Sequence, residues 1–124
     1  MAFILDAALD AGLNRALDLV ENMYICSQEP TTFTEASSTY KLGTKATPTI
    51  AAAANGTPNG RSRSIQTFTD GTVDASGTAT HWALTDNSLS ELDVTGALSA
   101  SQAVTSGNSW SLTGAVAIRF ADAA

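Results

Sequence analysis

The sequence predicts a mainly β single domain over residues 1–124. It is an antiparallel β-sandwich or barrel of about seven short strands (23–120), with one N-terminal amphipathic α-helix (3–21). Three observations predict it. Apolar residues recur at helical spacing only near the start of the chain. Beyond that, short runs rich in β-formers are punctuated by Gly, Asn, Asp and Pro about every 8–12 residues. The stretch from Trp110 to Phe120 alternates large apolar with small or polar residues.

The helix is read over Phe3–Glu21. Leu5, Leu9, Leu13, Leu17 and Val20, with Ala16, form one apolar stripe, and Asp6, Asp10, Asn14, Asp18 and Glu21 form an acidic one. Asp6 and Asp10 lie where the helix dipole favours negative charge. Gly12 costs the helix about 1 kcal/mol relative to alanine, so packing of the apolar stripe must hold it.

The strands follow in order. Met23–Ser27 is a short apolar run stopped by Glu29-Pro30, and Thr31–Gly43 is polar with Tyr40 and Leu42 as anchors. Lys45–Ala54, with Pro48, reads as an irregular or edge strand. Asn55–Gly60 is a dense turn signal, because glycine supplies positive φ and asparagine tolerates it. Arg61–Phe68 is a strand, followed by an Asp70-Gly71 turn. Thr72–Ala75 and Ala79–Thr85 flank Ser76-Gly77 as a hairpin or bulge. Asp86-Asn87-Ser88 is a turn, Leu89–Ala97 a strand, and Ser106-Gly107-Asn108 leads into the last strand, where Gly114 marks a bulge.

Composition narrows the function. The chain holds 22 Ala, 17 Thr and 13 Ser, and only 15% of residues are charged. Short side chains of these types lose little conformational entropy when covered and suit wide, flat contacts between subunits. A net charge of −6 argues against nucleic acid as a partner, and no apolar run reaches the length of a membrane span. The charge falls in blocks. Residues 1–35 and 70–124 are acidic, whereas the span between them carries Lys41, Lys45, Arg61 and Arg63 and no acid. These four bases are expected to pair with acids of their own domain; the sharper alternative is a basic loop facing an acidic patch on a neighbouring subunit. Cys26 is the single cysteine and no basic residue precedes the first apolar ones, which predicts folding in a cytoplasm with Cys26 as a reduced core residue, an interchain disulfide being the alternative.

Catalytic chemistry finds little to build on. His81 is the sole histidine, no Gly-x-Ser-x-Gly elbow occurs, and a structural or surface role for His81 is the expectation. One cysteine and one histidine do not make a zinc site, and Asp70–Asp74 lacks the dense carboxylates of a calcium loop. Asn55–Gly60 is not followed by the Lys-Ser/Thr of a phosphate loop. Aromatic residues at 6% give few stacking platforms. No catalytic, metal or cofactor residue is assigned.

The order of features resembles a family of short virion proteins of tailed bacteriophages, described as head-decoration, cement or small tail-fibre-like proteins. The likeness rests on Ile25-Cys26-Ser27-Gln28-Glu29-Pro30-Thr31-Thr32, on Asn59-Gly60-Arg61, on the aromatic-before-turn run Thr78–Asp86, and on Thr95–Asn108 leading into the final alternating strand. It spans roughly residues 20–120 as a pattern. The resemblance implies a non-enzymatic virion protein assembled in the host cytoplasm, foremost a capsid decoration or cement protein. Its partners would be the major capsid protein or other virion proteins, and copies of itself in a homo-oligomer, with no cofactor, nucleic acid or membrane. The candidate interface is the helix stripe Leu5, Leu9, Leu13 and Leu17 together with Lys41, Lys45, Arg61 and Arg63. A neck, tail, head-spike or fibre-base protein is the alternative within the virion. A small receptor- or glycan-binding β-domain, using Tyr40 or Trp82, is the alternative of another class.

Overall fold

A computed structural model describes residues 4–121. The first element is α1 (Asp6–Leu17), shorter at both ends than its periodicity predicts. Phe3 lies outside the described residues. At the other end, the sheet takes the backbone: the Glu21 N–H donates to Thr85 O at 2.8 Å, and the Glu21 carbonyl accepts from Thr47 N–H at 2.8 Å. Those bonds draw the chain into a strand before the helical period can run on to Glu21.

The strands are β1 (Asn22–Cys26), β2 (Lys41–Ala46), β3 (Ala54–Asn55), β4 (Arg61–Ile65), β5 (Phe68–Val73), β6 (Gly77–Asp86), β7 (Glu91–Val104), β8 (Ser109–Leu112) and β9 (Val116–Phe120). Six make an antiparallel sheet in the order β7-β6-β1-β2-β5-β8, and three make a small one, β3-β4-β9. The predicted mainly antiparallel β architecture with one helix is the one formed.

The large sheet has to curl. Its two outermost strands, β7 and β8, are joined by Thr105–Asn108 alone. Five Cα steps span at most about 18 Å, whereas a flat six-stranded sheet would hold its edges about 24 Å apart. The connection is pinned to the far end of β5. Gly107 N–H donates to Val73 O at 2.9 Å, Val73 N–H to Asn108 O at 2.8 Å, and Ser106 N–H to Ser76 Oγ at 2.9 Å.

Curling gives the sheet an inner and an outer face. On the inner face Met23, Trp82 and Leu84 meet Leu13 and Leu17 of α1 and Ile65 of β4. On the outer face Tyr24, Cys26 and Ala83 lie beneath Ala36 of a π-helical turn, Glu35–Thr39. β1 sits centrally and is covered on both sides, so four consecutive residues, Met23–Cys26, are buried. The turn is fastened by Glu35, whose Oε1 accepts from Thr31 N–H and Thr31 Oγ1, each at 2.9 Å; those bonds hold its carboxyl below the usual range.

Several local expectations are corrected. Thr31–Gly43 contains the π-helical turn and the start of β2, whose strand runs on to Ala46. Lys45–Ala54 as a strand reduces to the end of β2, one bridge between Ile50 and Ile65, and the start of the short β3. Asp70-Gly71 is no turn but lies inside β5, because Gly71 is the bed for the Trp110 ring. Thr72–Ala75 and Ala79–Thr85 are not a hairpin: β5 pairs with β2 and β8, and β6 with β1 and β7. β7 continues seven residues past Ala97 to Val104. Trp110–Phe120 keeps its parity but divides around Gly114 into β8, in the large sheet, and β9, in the small one.

Candidate interaction surface

The acidic stripe of α1 meets β4. Residues spaced by four on the helix share a face, and residues spaced by two on the strand do likewise, so Asp10, Asn14 and Asp18 oppose Arg61 and Arg63. Arg61 makes a two-pronged contact with Asp10, Nε to Oδ1 at 2.8 Å and Nη2 to Oδ2 at 3.3 Å, and Nη1 donates to Asn55 Oδ1 at 2.8 Å. Arg63 donates from Nη1 to Asp18 and, at 3.3 Å, to Asn14 Oδ1, while Nε donates to the Ala51 carbonyl at 2.8 Å. Ile65, next on the same strand face, packs with Leu13 and Leu17. Gly12 is accounted for here: a Cβ on it would stand 2.6 Å from the Phe120 ring of β9, which lies against the helix at that point.

The lysines are engaged as well. Lys45 Nζ lies 2.9 Å from Asp70 Oδ1 and 5.5 Å from the centroid of the Phe68 ring, and its hydrogen bond, aided by its charge, holds the Asp70 carboxyl down. Lys41 Nζ lies 3.7 Å from Asp74 Oδ2. All four central bases therefore have acid partners in their own chain, as the first of the two charge readings expects. Of the eight candidate interface residues, Leu9, Leu13 and Leu17 are buried in the chain's own core, the four bases sit in these pairs, and Leu5 is exposed at 60%. The apolar stripe is a seat inside the domain because β4 and β9 cover it.

His81 is half-buried on β6, its Nδ1 2.8 Å from Thr80 Oγ1, which also donates to Ser27 O at 3.0 Å. Cys26 is buried, and burial pushes its thiol up to about 11. Trp82 is 7% exposed with its ring over Gly96, and Tyr40 packs beside the Tyr24–Cys26 cluster with its hydroxyl on Glu35, so neither ring is presented as an open stacking platform. Among the described residues no group of three or more His, Cys, Asp or Glu side chains is placed to hold a metal ion, and no helix is long and apolar enough to cross a membrane.

The remaining surface of note is a cleft of about 780 Å³ between the two edges of the curled sheet. One rim is the second half of β7, Ala97–Val104, and the other runs from Ser109 to Val116. The floor is Met23, Ile25, Ala79, Trp82 and Trp110. Each indole lies flat on a cross-strand glycine, Trp82 on its β7 partner Gly96 and Trp110 on its β5 partner Gly71. A Cβ at Gly71 would meet Trp110 at 2.5 Å, and one at Gly43 would meet Trp110 Nε1 at 2.9 Å. These glycines let large rings lie low, a recognised way of stabilising a glycine within a sheet. Trp110 also meets Phe68 edge-on, with centroids 4.9 Å apart.

None of the cleft-lining residues is ionisable. From Val94 to Ile118 the sequence carries no Asp, Glu, Lys, Arg or His. That gap between Asp93 and Arg119 was the signal for this surface in the sequence, and it is missed when charges are counted only where they occur. At its border, Asp93 stands near Asp86 and Glu91 with one buried carboxylate oxygen unpartnered, and burial first, then those neighbours, pushes its carboxyl up to about 6.

No family model, curated protein or solved structure matches the chain.

Proposed function

We propose that the chain is a non-enzymatic assembly protein of a tailed-bacteriophage particle, a decoration or cement protein that braces the head by binding between shell subunits. One observation carries the reading: the charge-free double edge bordering the β7–β8 cleft, in a domain whose central bases all have acid partners within the chain. An edge strand with neither charge nor proline invites pairing with another chain. The resemblance in feature order to short virion proteins supports the same reading. So does the wealth of Ala, Ser and Thr, which suits broad contacts of low entropic cost.

The test is the native mass of the purified protein, alone and mixed with empty phage heads. The expected result is a discrete species that adds to heads in hundreds of copies. Addition to tails or necks in a few symmetric rings would move the assignment to those parts of the particle. A monomer that binds neither would remove the virion reading and bring a glycan-array screen forward.

A further inference from the structure

We propose that the β7–β8 cleft accepts an extended, uncharged peptide segment from another protein, with small apolar side chains on alternate positions, which lies between the two rims and completes the sheet. This rests on the assembly reading for the source of the segment, but the cleft argument stands on its own geometry.

Among the described residues no strand pairs with the outer edge of β7 or of β8, so both rims present backbone N–H and C=O groups. An occupant that satisfies such rows must itself bring alternating donors and acceptors, which an extended peptide does and a lipid-like small molecule does not. The floor between the rims is apolar and faces one side of an inserted strand, so every second residue of the occupant should be apolar. Charge fixes the rest. With no ionisable group in the lining, a charged side chain entering the cleft would lose water and find no counter-charge.

The alternative of a second copy pairing along β7 is disfavoured by charge. Each copy carries a net charge of −6, which opposes close approach of two whole domains, whereas a neutral segment meets no such opposition. β7 bulges where four residues, Leu98–Ser101, oppose the single Thr80 of β6, so a short segment pairs with this rim on one side of the kink.

Both tryptophans of the chain line the cleft, so their emission reports its occupancy. The intact protein is titrated with a capped seven-residue peptide alternating valine with serine, and with the same peptide carrying lysine in place of two valines. The expected result is a saturable blue shift with the neutral peptide and at least tenfold weaker binding of the charged one. Ala100→Lys and Thr113→Lys place a charge on either rim at exposed positions, and each should weaken the neutral peptide at least tenfold without moving the melting temperature. No saturable shift at millimolar peptide, or rim variants that bind like the parent, would overturn the proposal. So would an anilinonaphthalene sulfonate dye that fills the cleft when the peptide does not, because that outcome makes it a small-molecule pocket. Heads that take up Ala100→Lys as well as the parent would refute the cleft as the docking site while leaving the assembly reading in place.

Discussion

The α1–β4 seam and the β7–β8 cleft are built from opposite materials. In the seam, Asp10, Asn14 and Asp18, spaced by four, meet arginines spaced by two, and beside them Leu13, Leu17 and Ile65 enter the core. In the cleft there is no charge, and two indoles lie on glycines beneath two unpaired strand edges. The seam is a finished interface whose partners are both present. The cleft has the composition of one half of an interface. The difference teaches that a cluster of charge in a sequence marks where a domain holds itself together as readily as where it meets a partner. Here the bases are engaged within the fold, and the open surface is the part of the chain that carries no charge.

The contrast is broken most severely from the seam side. Leu13 is fully buried between α1 and the inner face, so Leu13→Ala should cost about 2–5 kcal/mol in urea unfolding, through lost transfer energy and the cavity left behind. On the cleft side, Gly71→Ala drives a methyl into the Trp110 ring. The expected loss is about 1–3 kcal/mol, with a red shift of tryptophan emission as the ring lifts. A Gly71→Ala protein as stable as the parent would show that the indole bed is loose. Arg61→Gln removes the two-pronged contact with Asp10. Its effect should be smaller than that of Leu13→Ala and should shrink further between 50 mM and 1 M salt, because the pair is reached by solvent.

The finest test lies near the start of β7, ahead of the charge-free rim. Asp93 has a folded-state pKa raised to about 6, so the folded protein binds its proton more tightly than the unfolded chain does. Stability should therefore fall as pH rises from about 4 to about 6, and the loss should persist above that range. Asp93→Asn should flatten this slope and raise the unfolding midpoint at pH 7, read by urea titrations at pH 4.5 and 7. An unchanged slope in the variant would assign it to other groups. Glu21, Glu35 and Asp70 act in the opposite sense: their folded pKa values are lowered, so the stability they contribute is lost as pH falls through the acid range.

Much of the architecture was legible in the sequence, and for physical reasons. The 3.6 and 2.0 periods are local properties, so the helix stripe, the apolar run of β1 and the parity of Trp110–Phe120 could be read directly. Long-range pairing could not. Nothing local says that Asp70-Gly71 stays extended to seat an indole, or that the chain changes sheets around Gly114. The same limit governed the site. The leucine stripe reads identically whether it covers the chain's own strands or a partner, and only the position of β4 and β9 decides between them. The cleft is defined by strands that do not pair, and the one trace it left was the absence of charge from Val94 to Ile118.

The placement of β1 and β4 has a kinetic consequence. Asn22 of the central strand pairs with Thr85, and Arg61 of β4 pairs with Phe120, the residue that also rests against Gly12. The helix is made before β4 and β9, and its docking site is incomplete until Val116–Phe120 has been made as well. Closing such distant pairs is slow compared with forming a helix. During synthesis Leu9, Leu13 and Leu17 therefore stay greasy and uncovered through the interval that separates the helix from its last covering strand.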